Sequence, residues 1–221
     1  LSAGYYSFPR PELVPHVPET ARFVLDVGCG CGAFGRSLKE RGVERVDGID
    51  IYGPACEEAR NVLDDVICGD IEVLDLPYGL GQYDCIVFAD VLEHLREPGA
   101  VLCRMRDYIA PNGVVIASIP NVRFCYVVRS LVHGRWKYED AGILDRTHLR
   151  FFTATDMALL FCEAGYRVTQ LAPLSVMAPE LVPRNTDGGF TLGNLTVGPL
   201  TDAEYQDFLT YQYLVVAEPG L

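Results

Sequence analysis

The chain has 221 residues, 49% of them hydrophobic and 22% charged, which is enough to bury one sizeable core and to read as a single domain. Its formal net charge of −12 weighs against a nucleic-acid partner, whose phosphates require a basic surface, and against an anionic membrane surface. No apolar run approaches the ~20 residues of a membrane span, and none of the eight cysteines forms a C-x-x-C pair; the expectation is a cytoplasmic protein with reduced thiols.

Residues 1–20 form an N-terminal arm, aromatic at Tyr5, Tyr6 and Phe8 and then interrupted by Pro9, Pro11, Pro15 and Pro18. That proline density excludes one long helix; the arm is expected to pack on the surface of the core, with Tyr5, Tyr6 and Arg10 closing over a ligand as the alternative. Phe23–Val27 is a short apolar run, the pattern of a strand covered on both faces. It enters a loop with glycines at 28, 30 and 32, where the backbone can take positive φ and approach a ligand closely. A helix follows, with Phe34 and Leu38 at helical spacing and Gly42 as its stop.

The second strand, 45–49, ends at Asp50 with Ile51 beside it, and 54–63 reads as the next helix. The third strand and its exit, 66–71, carry Asp70 and Ile71. Tyr83–Ala89 is the clearest later strand and leads into Asp90. Pro98 opens a helix expected to run to Ile109, after which Asn112-Gly113 turns the chain into a fifth strand at 114–119. Strands alternating with helices at this spacing imply an α/β fold, a doubly wound and mostly parallel sheet with helices on both faces. Ligands of such sheets bind beyond the carboxyl ends of the strands, where Asp26, Asp50, Asp70 and Asp90 are all expected.

A glycine loop alone also suits an NAD-dependent oxidoreductase. Here the spacing is D-x-G-x-G-x-G, not G-x-G-x-x-G. A carboxylate at the loop mouth opposes a pyrophosphate and suits a ligand with a cationic end. The stretch Asp26-Val27-Gly28-Cys29-Gly30-Cys31-Gly32 resembles motif I of the class I (Rossmann-like) S-adenosylmethionine-dependent methyltransferases, and the resemblance covers about residues 20–170 and the last strand. It implies S-adenosyl-L-methionine as cofactor. Asp26, Gly28 and Gly30 would hold its methionine end, Asp50 with Ile51 its ribose, and Asp70 with Ile71 its adenine, with Ala89 completing the set. It also implies a seven-stranded sheet with an antiparallel last strand. An oxidoreductase and a non-catalytic cofactor-binding module are the alternatives.

Residues 120–150 break the repeating pattern. Arg123, Tyr126, Arg129, His133, Arg135, Trp136, Lys137 and Tyr138 give this stretch a basic and aromatic excess, expected to form a lid over the acceptor site. Thr153 and Asp156 make a capping box that starts a helix running to Ala164, with Gly165 as its stop. Strand six is expected at 166–171 and the last strand at 211–217. The Pro-, Gly-, Asn- and Thr-rich stretch 172–208 between them is expected to be an irregular insertion.

A hydroxyl acceptor needs a base, and histidine is the usual one near neutral pH. Of the four histidines, His16 and His133 read as incidental. His148 lies in Asp145-Arg146-Thr147-His148-Leu149-Arg150, which resembles a segment of bacterial methyltransferases acting on sugars and secondary metabolites. It is the favoured catalytic base, with His94 next. Asp90-x-x-Glu93-His94 with the later His148 also resembles the metal-ligand pattern of small-RNA 2′-O-methyltransferases, so a divalent metal is an alternative that is not favoured. The sequence therefore reads as an O-methyltransferase for a small-molecule acceptor, acting by in-line displacement, with no nucleic-acid or membrane partner and its oligomeric state left open.

Overall fold

The computed structural model describes residues 7–220; Tyr5 and Tyr6 lie outside them. The strands are β1 (Phe23–Val27), β2 (Arg45–Asp50), β3 (Asp65–Cys68), β4 (Tyr83–Ala89), β5 (Ile109–Pro120), β6 (Tyr166–Val176), β7 (Phe190–Leu192), β8 (Leu195–Val197) and β9 (Thr210–Pro219). The helices are α1 (Ala33–Glu40), α2 (Gly53–Ala59), α3 (Pro98–Met105), α4 (Cys125–Val132), α5 (Ala154–Glu163) and α6 (Asp202–Leu209). Seven strands make one sheet in the order β3-β2-β1-β4-β5-β9-β6, and β7 and β8 form a separate hairpin. Strands β1 to β5 pair in parallel. The last strand runs antiparallel between β5 and β6, as expected from the sequence.

Two-sided burial explains why the strands are so apolar. Leu25, Ile86, Phe88, Val115 and Val215 pack on one face against Val101, Leu102 and Met105 of α3 and Met157 and Phe161 of α5. Their strand neighbours Val24, Val87, Ile116 and Leu214 pack on the other face against Phe34 and Leu38 of α1 and Cys56 and Ala59 of α2. Alternate side chains thus enter opposite cores, as a pleated strand requires. The N-terminal arm is rooted in the second core by Leu13 and Val17. Arg41 donates to the carbonyls of Val14 (2.6 Å), Val17 (2.7 Å) and Pro18 (3.0 Å), tying the same segment down.

Several boundaries differ from the sequence expectation. Helix α2 stops at Ala59 rather than 63, and α3 stops at Met105 rather than 109. Strand β3 ends at Cys68, so Asp70 and Ile71 sit in the loop beyond it. Asn112-Gly113 does not start a new strand: β5 already begins at Ile109, and the irregularity is absorbed as a register shift opposite Tyr83 and Cys85.

The largest difference is at 172–208, which is not irregular. Its first residues prolong β6 to Val176, a length that tolerates Pro173 because β6 is an edge strand with shifted register there. The rest folds as the β7–β8 hairpin and α6, which has its own Thr201–Glu204 capping box. Cys125 of α4, Val182, Phe190, Tyr205, Phe208 and Leu209 form a third small core. Short apolar segments separated by Gly and Pro carry no periodicity long enough to reveal such a unit. The capping box expected at Thr153 and Asp156 opens α5, with both reciprocal bonds present.

Candidate active site

The strand order reverses between β1 and β4, the point where doubly wound sheets open a crevice at their carboxyl edge. A cavity of about 890 Å³ lies there. Asp26, Gly28, Gly30, Asp50, Ile51, Asp70, Ile71 and Ala89 all line it, as do His94 and His148. These ten residues, expected from the sequence to bind the cofactor or act in catalysis, therefore meet in one cavity.

The glycine loop is shaped for close approach. Gly28 has φ +79°, and a Cβ there would overlap Val91 Cγ2. Its N–H donates to the Ile49 carbonyl at 2.7 Å, locking the loop to β2. Asp50 accepts from Gly30 N through Oδ2 and from Tyr52 N through Oδ1, both at 2.8 Å. Its carboxylate is thereby held at the end of β2 with lone pairs left over. Asp26 is almost wholly buried, and its Oδ2 has no hydrogen-bond partner. Burial, and then Asp50, push its carboxyl up to about 7, while Arg10 pulls the other way.

Arg10 and Phe8 line the cavity from the arm side. The Arg10 guanidinium is ion-paired with Asp90. Asp90 Oδ1 also accepts from Ser118 Oγ at 2.9 Å and from Gln212 Nε2. Arg10 and Asp90 are the only non-glycine residues with positive φ among the described residues. Gln212 and Tyr211 reach the cavity from β9, some 120 residues after β4. No local sequence signal marks them, because only the insertion of β9 between β5 and β6 brings them there.

In the same cavity, the His94 and His148 rings pack edge to face with centroids 4.7 Å apart. His148 Nδ1 lies 2.9 Å from the Ile143 carbonyl, and its Nε2 lies 4.0 Å from Glu93 Oε1. His94 Nδ1 lies 3.2 Å from both the carbonyl and the hydroxyl of Thr147. Carbonyls only accept, so each contact places the proton on Nδ1 and the lone pair on Nε2. Burial and the neighbouring His148 hold His94 below its ordinary value.

Glu93 is buried, with neither carboxylate oxygen hydrogen-bonded. Burial, and then Asp90, raise it well above the usual carboxylate range. One ligand atom from each of Glu93, His94 and His148 falls within 4.8 Å of the others. Asp90, included in the metal pattern read from sequence, is not in this group: Arg10, Ser118 and Gln212 already engage it. Asp145 is also buried. Burial alone would raise its carboxyl, but hydrogen bonds from Thr147 outweigh that and hold it below the ordinary value.

From the stretch 120–150, the cavity is lined by Pro120, Ala141, Gly142, Asp145, Thr147, His148 and Leu149. The basic and aromatic residues that drew attention to this stretch are not among them. Arg123 pairs with Asp207 at 2.6 Å, and Trp136 packs on Phe151 with ring centroids 5.1 Å apart. His133 contacts the Arg129 carbonyl within its own helix end, and neither it nor His16 lines the cavity. All eight cysteines are free, and no helix among the described residues is long and apolar enough to cross a membrane.

Residues 9–171 match the family model described as a methyltransferase domain. A protein of Neisseria meningitidis serogroup C named ubiquinone biosynthesis O-methyltransferase is 31% identical over 161 residues, covering 69% of this chain and 67% of that protein. A protein of the same name from Acinetobacter baylyi is 27% identical over 167 residues, covering 68% and 66%. The chain thus spans about two thirds of the length of these relatives. Among solved structures, a SAM-dependent methyltransferase from Archaeoglobus fulgidus superposes with a TM-score of 0.68 at 18% identity, covering 98% of this chain and 94% of that one. A putative S-adenosylmethionine-dependent methyltransferase from Listeria monocytogenes gives 0.62 at 17% identity, covering 95% and 97%. At such identities the superpositions speak for the fold, while the matched domain speaks for the family. The D-x-G-x-G-x-G loop on a crevice of this topology, and a methyltransferase domain over most of the chain, place the protein among the class I methyltransferases that use S-adenosylmethionine as methyl donor.

Proposed function

We propose that the chain methylates a hydroxyl group of a small molecule. The donor would lie along Asp26, Gly28, Gly30, Asp50, Ile51, Asp70, Ile71 and Ala89, with His148 or His94 taking the hydroxyl proton. The observation that carries this reading is that both imidazoles open into the same cavity as the donor-side carboxylates.

S-adenosylmethionine supplies a methyl group on a sulfonium, and transfer is an in-line displacement. Holding the acceptor close and aligned can remove about 7–11 kcal/mol of barrier at best. The chain must also accept the hydroxyl proton, for which an imidazole with its lone pair on Nε2 is suited. Arg10, a guanidinium at the donor end, fits the donor's carboxylate. The lining residues between 120 and 150 support reading that stretch as the lid of the acceptor end. The relatives' name supports a hydroxyl acceptor of the kind found on ubiquinone precursors; sugar and secondary-metabolite hydroxyls are the other class that the segment around His148 suggests. The test is a screen of phenols and sugars for release of S-adenosylhomocysteine. With an acceptor in hand, His148→Gln or His94→Gln should lower kcat on the order of 10²-fold while keeping product affinity. Unaltered kcat in both variants would end the histidine-base reading.

A second reading places a divalent cation on Glu93, His94 and His148. It is favoured by Glu93, whose two buried oxygens lack partners beside two imidazoles, since an orphaned buried carboxylate is costly. A cation held there would act as a Lewis acid on the acceptor hydroxyl. Turnover lost to a chelator and restored by added Mg²⁺ or Mn²⁺ would favour it; turnover indifferent to the chelator would remove it.

A further inference from the structure

We propose that Cys56 and Cys68 are a peroxide-sensitive dithiol: oxidation joins them as a disulfide and weakens binding of the methyl donor. The loss of binding rests on the proposed placement of the donor along Asp50 and Asp70; the bond itself does not.

Both thiols converge on the end of β2. Cys56 lies on α2, and its Sγ donates to the Asp50 carbonyl at 3.3 Å. Cys68 closes β3, where it stands opposite Asp50 in the parallel register. Val66, two residues earlier on that strand, packs in the same core as Cys56 and Ala59. Residues two apart on a strand share a face, so Cys68 is directed toward α2 as well. The two side chains meet there: burial first, and then a hydrogen bond with Cys68, raise the Cys56 thiol. Cys56 is fully buried and Cys68 is exposed. An oxidant in solution therefore reaches Cys68 first and finds its partner thiol already in contact.

The co-reactant is a peroxide such as hydrogen peroxide. The Cys68 thiolate attacks one peroxide oxygen; an S–O bond forms, the O–O bond breaks, and the departing hydroxide takes up the proton Cys68 gave up, as water. The Cys56 sulfur then attacks the Cys68 sulfur. The S–S bond forms, the S–O bond breaks, and the second hydroxide leaves with the Cys56 proton as water. Two thiols lose two electrons in all, and one peroxide gains them.

Neither cysteine lines the cavity, but Asp50, Gly69 and Asp70 do. In the reduced protein the Asp50 carbonyl accepts from Cys56 Sγ and from Gly69 N, the latter at 2.8 Å. A disulfide has no thiol hydrogen, so the first of these bonds is lost. Two thiols in hydrogen-bond contact also stand further apart than an S–S bond of about 2.05 Å. Closing that gap draws the exit of β3, with Gly69 and Asp70, toward α2. By reciprocity, a bound donor opposes formation of the bond.

The test uses the full chain, reduced and then freed of reductant, with and without hydrogen peroxide. Among the eight free cysteines, peptide mapping should find Cys56 joined to Cys68, and excess S-adenosylhomocysteine should slow the joining. In calorimetry, peroxide should raise the Kd of S-adenosylhomocysteine on the order of tenfold, the worth of one hydrogen bond, and dithiothreitol should restore it. Cys68→Ser, at an exposed position outside the cavity, should bind like the reduced wild type and keep that affinity in peroxide.

Peroxide that leaves Cys56 and Cys68 unjoined, or joins Cys56 to Cys29 instead, would overturn the proposal. So would a mapped disulfide with unchanged affinity, a loss that dithiothreitol does not reverse, or a Cys68→Ser variant that loses affinity in peroxide as the wild type does. Reduced wild type that does not bind S-adenosylhomocysteine would instead end the donor placement, and with it the effect on binding, while the peptide map still decides whether the thiols pair.

Discussion

At the residue scale, the buried acid of the glycine loop has a measurable signature. The Asp26 carboxyl is raised from 3.8 to about 7 by burial and by Asp50. The folded state therefore holds this proton more tightly than the unfolded chain does. Its contribution to stability is fully present below about pH 4 and is lost as pH rises through about 7, a change on the order of 4 kcal/mol. Urea unfolding across that range should show this slope in the ligand-free protein, and Asp26→Asn should reduce it to the part contributed by other raised carboxyls such as Glu93. An equal slope in the variant would remove Asp26 as its source. Gly28 makes a second case. A side chain at φ +79° costs about 1–2 kcal/mol, and its Cβ would also overlap Val91. Gly28→Ala should therefore lower stability by at least that much and impair binding of S-adenosylhomocysteine in calorimetry. Both positions could be singled out from D-x-G-x-G-x-G alone, because the chemistry of a ligand loop is written in adjacent residues.

At the scale of elements, the site depends on a polar joint that the sequence does not announce. Asn121, fully buried, follows β5 and donates from Nδ2 to the carbonyls of Asp207 and Thr210, each at 2.9 Å. Arg123 and Tyr213 complete the joint on the Asp207 carboxylate at 2.6 and 2.7 Å. It fastens the start of the 120–150 stretch to α6 and β9, and so fixes where Tyr211 and Gln212 enter the cavity. Asn121→Leu would leave buried carbonyls without donors, at about 1–3 kcal/mol each. The expected result is a loss of roughly 2 kcal/mol or more in thermal or chemical unfolding, with acceptor turnover reduced further than donor-product affinity. A fully stable, fully active Asn121→Leu would show the joint to be dispensable. The insertion that supplies half of this joint reads as irregular in sequence because its strands are three residues long. Its one helix is visible only through the Thr201–Glu204 box.

At the scale of the whole molecule, the carboxyl ends of β1, β2 and β4 and the loop beyond β3 each contribute an acid to one cavity, so a bound donor should brace the sheet edge as a unit. S-adenosylhomocysteine at 100 times its Kd stabilises a single-site protein by about 2.7 kcal/mol. For a chain of this size that amounts to a Tm rise of roughly 5–10 °C. Scanning calorimetry or a dye-based melt would measure it, and Asp50→Ala should abolish most of it. An unchanged melting point in saturating ligand would contradict the placement of the donor along this edge.

The sequence by itself determined the alternating strands and helices, the glycine loop and the acids at the strand exits. It also pointed to the two histidines on which catalysis is proposed to rest. These follow from local rules: apolar periodicity, positive-φ glycines and a residue's place just beyond a strand. Only the tertiary structure decided that Tyr211 and Gln212 belong to the cavity, that Asp90 is engaged by Arg10 and not grouped with Glu93, and that Thr147 meets His94. Those relations join segments 50 to 120 residues apart, and the packing of β9 and the 143–148 loop around the sheet edge creates them. No spacing along the chain encodes a distance in space between elements that meet only after the core has formed.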